Sequence, residues 1–517
     1  MQHAGPGAVG PEVDPPVSAV AEETSRSLAQ SSVRGFLWST LAWGSNRIII
    51  LGLTLVLARL LAPQDFGLVT AALTIITMLD AALDLGVGAS VVADQERGIT
   101  RRIRTAFTLN VTISAAIAAT GVALSPLIAA VFDSSRHAGL FALIFLYPLL
   151  RGAGQVNDAV LKRDLRFRRR TVIDLLRALV RVGVSIPLAL TVGGAMSIAA
   201  GIIVSELLAM LLLWILVPIK PAFRLARADI SHLLRFGGLV TVIRILGSFR
   251  GAFDYFIVGS LISTTALGFY GMAYKLPELI IENVLWIVSA VALSAYSRAR
   301  TVGHDVLLGA MIRATRLLSL YGLAAGTVLA VVARDAVPVL FSPQWSDAIV
   351  PMMLISLSLG VMSISWGSGD VFLALGRSGT LIKLELPATA LMITAFLFSA
   401  QYGLIGVASV HLIFNILHCT ARMILVRHIT RVTGRSLLSA IAPAVLVSMT
   451  TAVVGFGTST LLPRAELSSL LILSTVCAVT VVGTAMLFAR PAVLEVIDMV
   501  GLHQKRSATI PADPGPA

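Results

Sequence analysis

A chain of 517 residues that is 56% hydrophobic and only 13% charged cannot be a soluble globular domain; its composition is that of a polytopic membrane protein. The net charge of +13 does not indicate nucleic acid, because the basic residues lie in short loops between apolar runs and leave no soluble domain to bind it. Two cysteines, Cys419 and Cys477, both inside apolar runs, support neither a disulfide framework nor a thiolate metal site, and no cofactor is expected.

Residues 1–30 are rich in Pro, Gly and Ala, lack the basic-then-apolar layout of a cleaved signal, and read as a disordered cytoplasmic tail; 491–517 reads the same way. A helical hairpin follows. Its apolar runs, 36–60 and 66–91, are each long enough to cross a hydrocarbon core of about 30 Å, and the turn Ala62-Pro-Gln-Asp-Phe-Gly67 makes them antiparallel neighbours. Further runs fall at 106–131, 138–160, 171–190, 196–218, 236–261, 267–295, 317–333, 347–376, 380–400, 403–426, 438–461 and 467–489, which predicts about fourteen transmembrane helices in an all-α fold. Alternate loops split their Lys and Arg very unequally: one set holds 23, the other only Arg136, Arg334 and Arg464, which places both termini inside. The densest basic loop, Lys162 to Arg170, is a topology signal near anionic lipid, or less simply a docking site for a partner. Loop 219–235, in which Phe223, Ile230, Leu233 and Leu234 can share a face beside Arg224 and Arg227, reads as an interfacial linker between two halves.

The halves show an internal repeat at an offset of 201: Arg34 falls on Arg235, and Gly67 falls on Gly268 in Ala266-Leu-Gly-Phe-Tyr270. Six spans per half keep both halves in the same orientation, which gives a parallel repeat with the substrate site between them. The predicted organisation is an N-terminal lobe over 31–218, the linker 219–235, a C-terminal lobe over 236–426 and two additional helices over 427–490. The same offset brings Arg47 within two residues of Arg250, and Asp80 within one of Glu282, so that each half opens with a cationic helix and follows with an acidic one.

Ionisable side chains at membrane depth mark function by default. Arg47 lies about 17 Å into the first helix, near the midplane, and Asp80 and Asp84 share one face of the second. In the second half Arg250 and Asp254 are i,i+4, as are Glu278 and Glu282, and Lys275 and Glu278 flank Pro277, where a kink is expected. Arg151, Asp158, Arg177, Arg181, Glu206, Arg244 and Asp370 add to the density. Two readings stay open. Either these are buried ion pairs that fix helix register, with Arg250 and Asp254 neutralising one another, or Arg47 and Arg250 face each other across a cleft and grip a doubly charged anion such as a diphosphate. His411 and His418, seven apart on one apolar helix, read as packing or pore residues rather than metal ligands.

Leu57-Ala-Arg-Leu-Leu-Ala-Pro-Gln-Asp-Phe-Gly67, Asp84-Leu-Gly-Val-Gly-Ala-Ser90 and Ala266-Leu-Gly-Phe-Tyr-Gly-Met-Ala-Tyr-Lys275 resemble the polysaccharide transport family of the multidrug, oligosaccharidyl-lipid and polysaccharide exporter superfamily, over about 31–490. The resemblance implies two six-helix lobes around a cationic cavity, in a bacterial cytoplasmic membrane. It also implies a non-enzymatic flippase that moves an undecaprenyl-diphosphate-linked oligosaccharide to the outer leaflet by alternating access, driven by an ion gradient, for exopolysaccharide, O-antigen or a similar polymer. A polysaccharide polymerase and export machinery would be its partners. Carried onto this sequence, Arg47 and Arg250, then Arg244 and Lys275, would contact the diphosphate; Asp80, Asp84, Asp254, Glu278 and Glu282 would pair with those cations or couple to an ion. The rivals are an ion-coupled multidrug exporter or peptidoglycan-precursor flippase of the same superfamily, and, in another class, a membrane polymerase or scaffold. The exporter of cations calls for an acidic lumen, and the polymerase commonly has a large outer loop, which is missing here.

Overall fold

The computed structural model describes residues 44–84, 100–220, 247–495 and 498, and among these there are helices and turns but no strand. In a hydrocarbon solvent an apolar segment must satisfy every backbone N–H and C=O internally, and within one segment only a helix does so. The helices are α1 (44–60), α2 (Pro63–Asp84), α3 (Thr100–Ala123), α4 (Tyr147–Arg163), α5 (Phe167–Thr191), α6 (Gly194–Leu216), α7 (247–257), α8 (Thr264–Pro277), α9 (Asn283–Val302), α10 (His304–Ala336), α11 (Ile349–Ser365), α12 (Ser378–Ser399), α13 (Gly403–Thr430), α14 (Gly434–Ser459) and α15 (Leu467–Phe488). Short helical pieces at Ser125–Val131, Ala138–Ile144 and Ser368–Ala374 extend the spans beside them. Among the described residues nine helical stretches are long and apolar enough to cross a membrane. The fold is all-α and polytopic; the count of fourteen spans stays an expectation. The linker 219–235 and the residues 34 and 235 of the repeat comparison fall outside the described residues, apart from Ile219 and Lys220.

Two expectations about local structure are refined. Pro277 cannot donate a backbone N–H, and directly after it the helix widens into a π turn, Glu278–Glu282, before resuming as α9. The basic stretch 296–316, which the predicted spans 267–295 and 317–333 leave between them as a loop, is helical except at Gly303, because charged helices can run out of an apolar slab. π turns also follow α7, at Val258–Ile262, and α10, at Val337–Phe341.

Small residues set the closest helix crossings. A Cβ at Gly326 would stand 2.5 Å from the Ser356 carbonyl oxygen, and one at Gly322 would stand 2.2 Å from Ser363 Oγ, so α10 and α11 touch along their backbones. The α2–α8 crossing is tighter still. A Cβ at Gly67 would lie 1.6 Å from the Thr264 carbonyl oxygen, and one at Gly268 2.0 Å from that of Pro63. Residues 67 and 268 are 201 apart, as are 63 and 264. The last two helices both pack against α10: α14 sets Val447 on Ala324, and α15 sets Leu470, Leu473 and Cys477 on Val331 and Val332.

Candidate functional site

The α1–α2 turn and the start of α8 form one sealed end of the bundle. Trp345, fully buried, sets its ring edge-on against Phe66 (5.2 Å) and Phe269 (5.9 Å) and donates its indole N–H to the Ala58 carbonyl at 2.8 Å. Gln344 donates to the carbonyls of Ala58 (2.7 Å) and Leu61 (3.1 Å), and Arg59 to that of Val339 (2.8 Å). The last carbonyls of α1, which have no partner within their own helix, are thus satisfied by the segment after α10.

About 10–15 Å further along α8 the character changes from aromatic to ionic. Arg47 on α1 meets Glu278 at 3.2 Å, with side chains 40% and 35% exposed. Lys275 is exposed although Ala273 and Leu276 beside it are buried, and the charges near enough to act on it are Glu278, Arg181 of α5 and Arg47. Charges from three apolar helices gathered at one place are costly against lipid, which favours a protein-lined face for this group. Arg177 on α5, 3.6 Å from Glu206 and 3.7 Å from Asp174, continues the ionic side of α5.

A second cluster converges on Glu385 of α12. Arg250 reaches one carboxylate oxygen at 2.5 Å, and His418 (3.3 Å) and Arg422 (3.8 Å) of α13 approach the other. Arg250 therefore uses Glu385, 135 residues on, and not Asp254 one turn away. Asp254 is instead held by the Tyr270 hydroxyl at 2.8 Å and lies 3.1 Å from His411 Nε2. His411, Asn415, His418 and Arg422 fall at i, i+4, i+7 and i+11, a single polar stripe down α13, with Asn415 donating to Ser358 Oγ at 2.7 Å.

The sequence reading named Arg47, Arg250, Lys275, Asp254, Glu278 and Glu282. The structure brings Arg47, Lys275 and Glu278 together, places Asp254 in its own polar group, and leaves Glu282 against the Trp286 indole N–H at 3.5 Å. Arg244 and the side chains of Asp80 and Asp84 fall outside the described residues. Of the two readings left open, the ion pairs are what the structure shows, with partners other than the one named: Arg47 pairs with Glu278, and Arg250 with Glu385 rather than Asp254. Glu385, Arg422 and the role of His418 were missed, although a lone acid in an apolar run and a polar stripe at helical spacing are both visible signals. No group of three or more His, Cys, Asp and Glu suited to a metal occurs among the described residues.

Comparison with known proteins gives these features a context. The Escherichia coli lipopolysaccharide biosynthesis protein WzxC is 25% identical over 404 residues, which cover 76% of this chain and 80% of that protein. The Bacillus subtilis teichuronic acid biosynthesis protein TuaB is 22% identical over 73% of this chain and 78% of its own length. The Rhizobium meliloti succinoglycan biosynthesis transport protein ExoT is 23% identical over 65% of this chain and 67% of its own. In three dimensions the chain superposes on the lipid II flippase MurJ in an inward closed conformation with a TM-score of 0.71, at 13% identity, over 89% of this chain and all of that one. An inward-facing multidrug resistance MATE family transporter of the MOP superfamily superposes with a TM-score of 0.62, at 16% identity, over 75% of this chain and 94% of that one. The sequence profile of the polysaccharide biosynthesis proteins matches residues 56–350, more than half of the chain, and with that family's motifs and a MurJ-like all-α fold in place, this chain belongs to the polysaccharide biosynthesis protein family.

Proposed function

We propose that the protein is a flippase for a diphosphate-linked oligosaccharide of the undecaprenyl type, which it carries from the inner to the outer leaflet of the bacterial cytoplasmic membrane. Both termini lie inside, as the Lys and Arg distribution favours, so the sealed end with Trp345 faces out and the ionic cavity is reached from the cytoplasm. The observation that carries the reading is the partly exposed Arg47–Glu278 pair beside Lys275. Cations at membrane depth need a counter-anion, and a carboxylate on a neighbouring helix supplies one without occupying the cavity permanently.

A diphosphate enters by exchange. It takes over the guanidinium of Arg47 from Glu278 and that of Arg250 from Glu385, because a planar guanidinium binds phosphate oxygens bidentately and a diphosphate brings more charge than a carboxylate. When the lipid leaves, the two glutamates close back on the arginines. The lobes 31–218 and 236–426 rock about the α2–α8 crossing to expose the cavity alternately, with helices 427–490 outside the moving parts. A polymerase that consumes the flipped unit is the natural partner.

The test is flipping in proteoliposomes loaded with undecaprenyl-diphosphate oligosaccharide, read as the rate at which the sugar becomes accessible on the opposite face. Wild type flips; Arg47→Ala with Arg250→Ala at equal protein level flips at least about tenfold slower, since one charge-assisted hydrogen bond is worth about 1.5–3 kcal/mol. Absence of flipping by wild type with any lipid-linked sugar would overturn the reading. Undiminished flipping in the double variant would overturn the exchange step.

A further inference from the structure

We infer that Asp254, Tyr270, His411 and Tyr274 form a proton-holding site, distinct from the diphosphate cavity, in which His411 is the group that gains and loses the proton. The inference deepens the flippase reading by naming its coupling ion.

The geometry is a closed polar cluster from three helices. Asp254 Oδ2 (α7), Tyr270 Oη (α8) and His411 Nε2 (α13) lie within 2.7–3.1 Å of one another. Tyr274 Oη stands 3.2 Å from His411 Nε2 and 3.4 Å from Nδ1. The Asp254 and His411 side chains are only 5% and 16% exposed. Phe396 of α12 covers the imidazole at 4.7 Å, and Tyr255 packs on both tyrosine rings, which makes the surroundings dry.

What singles the cluster out is the kind of cation it uses. Glu278 has Arg47, Glu385 has Arg250 and Arg422, Asp158 has Lys162 and Arg170, and Glu206 has Arg177: permanent cations. Among the described residues, Asp254 is the buried carboxylate whose salt-bridge partner is a histidine alone. Its charge is compensated only while His411 holds a second proton, and histidine is the side chain that releases one near neutral pH.

With the imidazole neutral and its hydrogen on Nε2, Tyr270 donates to Asp254 and Nε2–H donates to Asp254 or Tyr270. The added proton goes to Nδ1, the ring nitrogen that is not engaged with Asp254, so the bonds at Nε2 persist when the charge changes. The other charged groups around it are committed or further along the helices: Arg250, one turn back on α7, to Glu385; Glu278 to Arg47; and Glu282 to Trp286. Coupling is mechanical. Tyr270 and Tyr274 sit on α8 between the Gly268 crossing and Lys275, so a change of charge at His411 acts on the helix that carries both the sealed end and the cavity.

The experiment has two arms. In proteoliposomes, flipping is measured under an imposed pH gradient and, separately, a sodium gradient. Wild type is expected to accelerate at least about tenfold with the pH gradient and not with sodium; His411→Gln and His411→Lys, one never and one always charged, lose that response. A pH response that survives in either folded variant, or acceleration by sodium only, overturns the proposal. In the second arm, histidine-labelled wild-type protein in detergent is followed by NMR from about pH 5 to 9, with the His411 signal assigned from its absence in His411→Gln. The signal passes between neutral and doubly protonated forms, and a single form throughout overturns the proposal. This arm needs no transport, so if no lipid-linked sugar flips, the flippase reading falls while the proton site is still decided.

Discussion

Glu385 is the residue on which most of the local electrostatics rests. Its carboxylate is shared by Arg250, His418 and Arg422, and its own side chain is 22% exposed. Glu385→Gln leaves those basic groups facing one another. A fully buried pair broken on one side costs about 3–5 kcal/mol, but partial exposure screens these charges, and about 1–2 kcal/mol is the expected loss, seen as a lower melting temperature in detergent. The same variant should bind an undecaprenyl diphosphate more tightly and release it more slowly, because the resident anion that competes with the phosphate is gone. Glu278→Gln, at a pair 40% and 35% exposed, should cost less than half as much. A melting order reversed between the two would contradict this account. The charges themselves were readable one by one, since an ionisable residue in an apolar run stands out. Their partners were not: adjacency along a helix suggested Arg250 with Asp254, whereas low-dielectric packing joined Arg250 to α12 and gave Asp254 to α8 and α13.

Helix α8 shows how much one element can combine. Its first turn crosses α2 at Gly268, its middle bears Tyr270 and Tyr274, and Lys275 ends its exposed face before the π turn that carries Glu278. The Pro277 irregularity was legible, because proline removes a hydrogen bond wherever it sits; that it resolves as a π turn was not, since that depends on neighbours. Gly67→Val is the sharp test of the crossing. Even a Cβ there would lie 1.6 Å from the Thr264 carbonyl oxygen, where a carbon needs about 3.3 Å, so the helices must part. Cysteine placed at Phe269, in a background with Cys419 and Cys477 replaced, should then react severalfold faster with a membrane-impermeant maleimide. An unchanged labelling rate would show that the sealed end is not held by this contact.

At the scale of the whole molecule, orientation is the property that composition speaks to most directly. If Lys and Arg mark the cytoplasmic side, single cysteines at Arg136 or Arg464 label in intact cells, and one at Arg168 labels only after permeabilisation. The all-α class and the spacing of apolar runs were plain from hydropathy, because a bilayer imposes a length on every span. The glycine crossing was present as two matching letters, but its meaning lay in three dimensions. Residues 67 and 268, and 63 and 264, occupy equivalent places in the proposed repeat, and Gly67 approaches Thr264 as Gly268 approaches Pro63. If the two halves derive from one duplicated segment, this is one contact made twice: each glycine faces the carbonyl that the other half presents at the matching position, Gly67 that of Thr264 and Gly268 that of Pro63. A side chain gained on either copy would then have to be answered by a shift of the opposite helix, so the two halves would be tied together at this point while free to differ elsewhere.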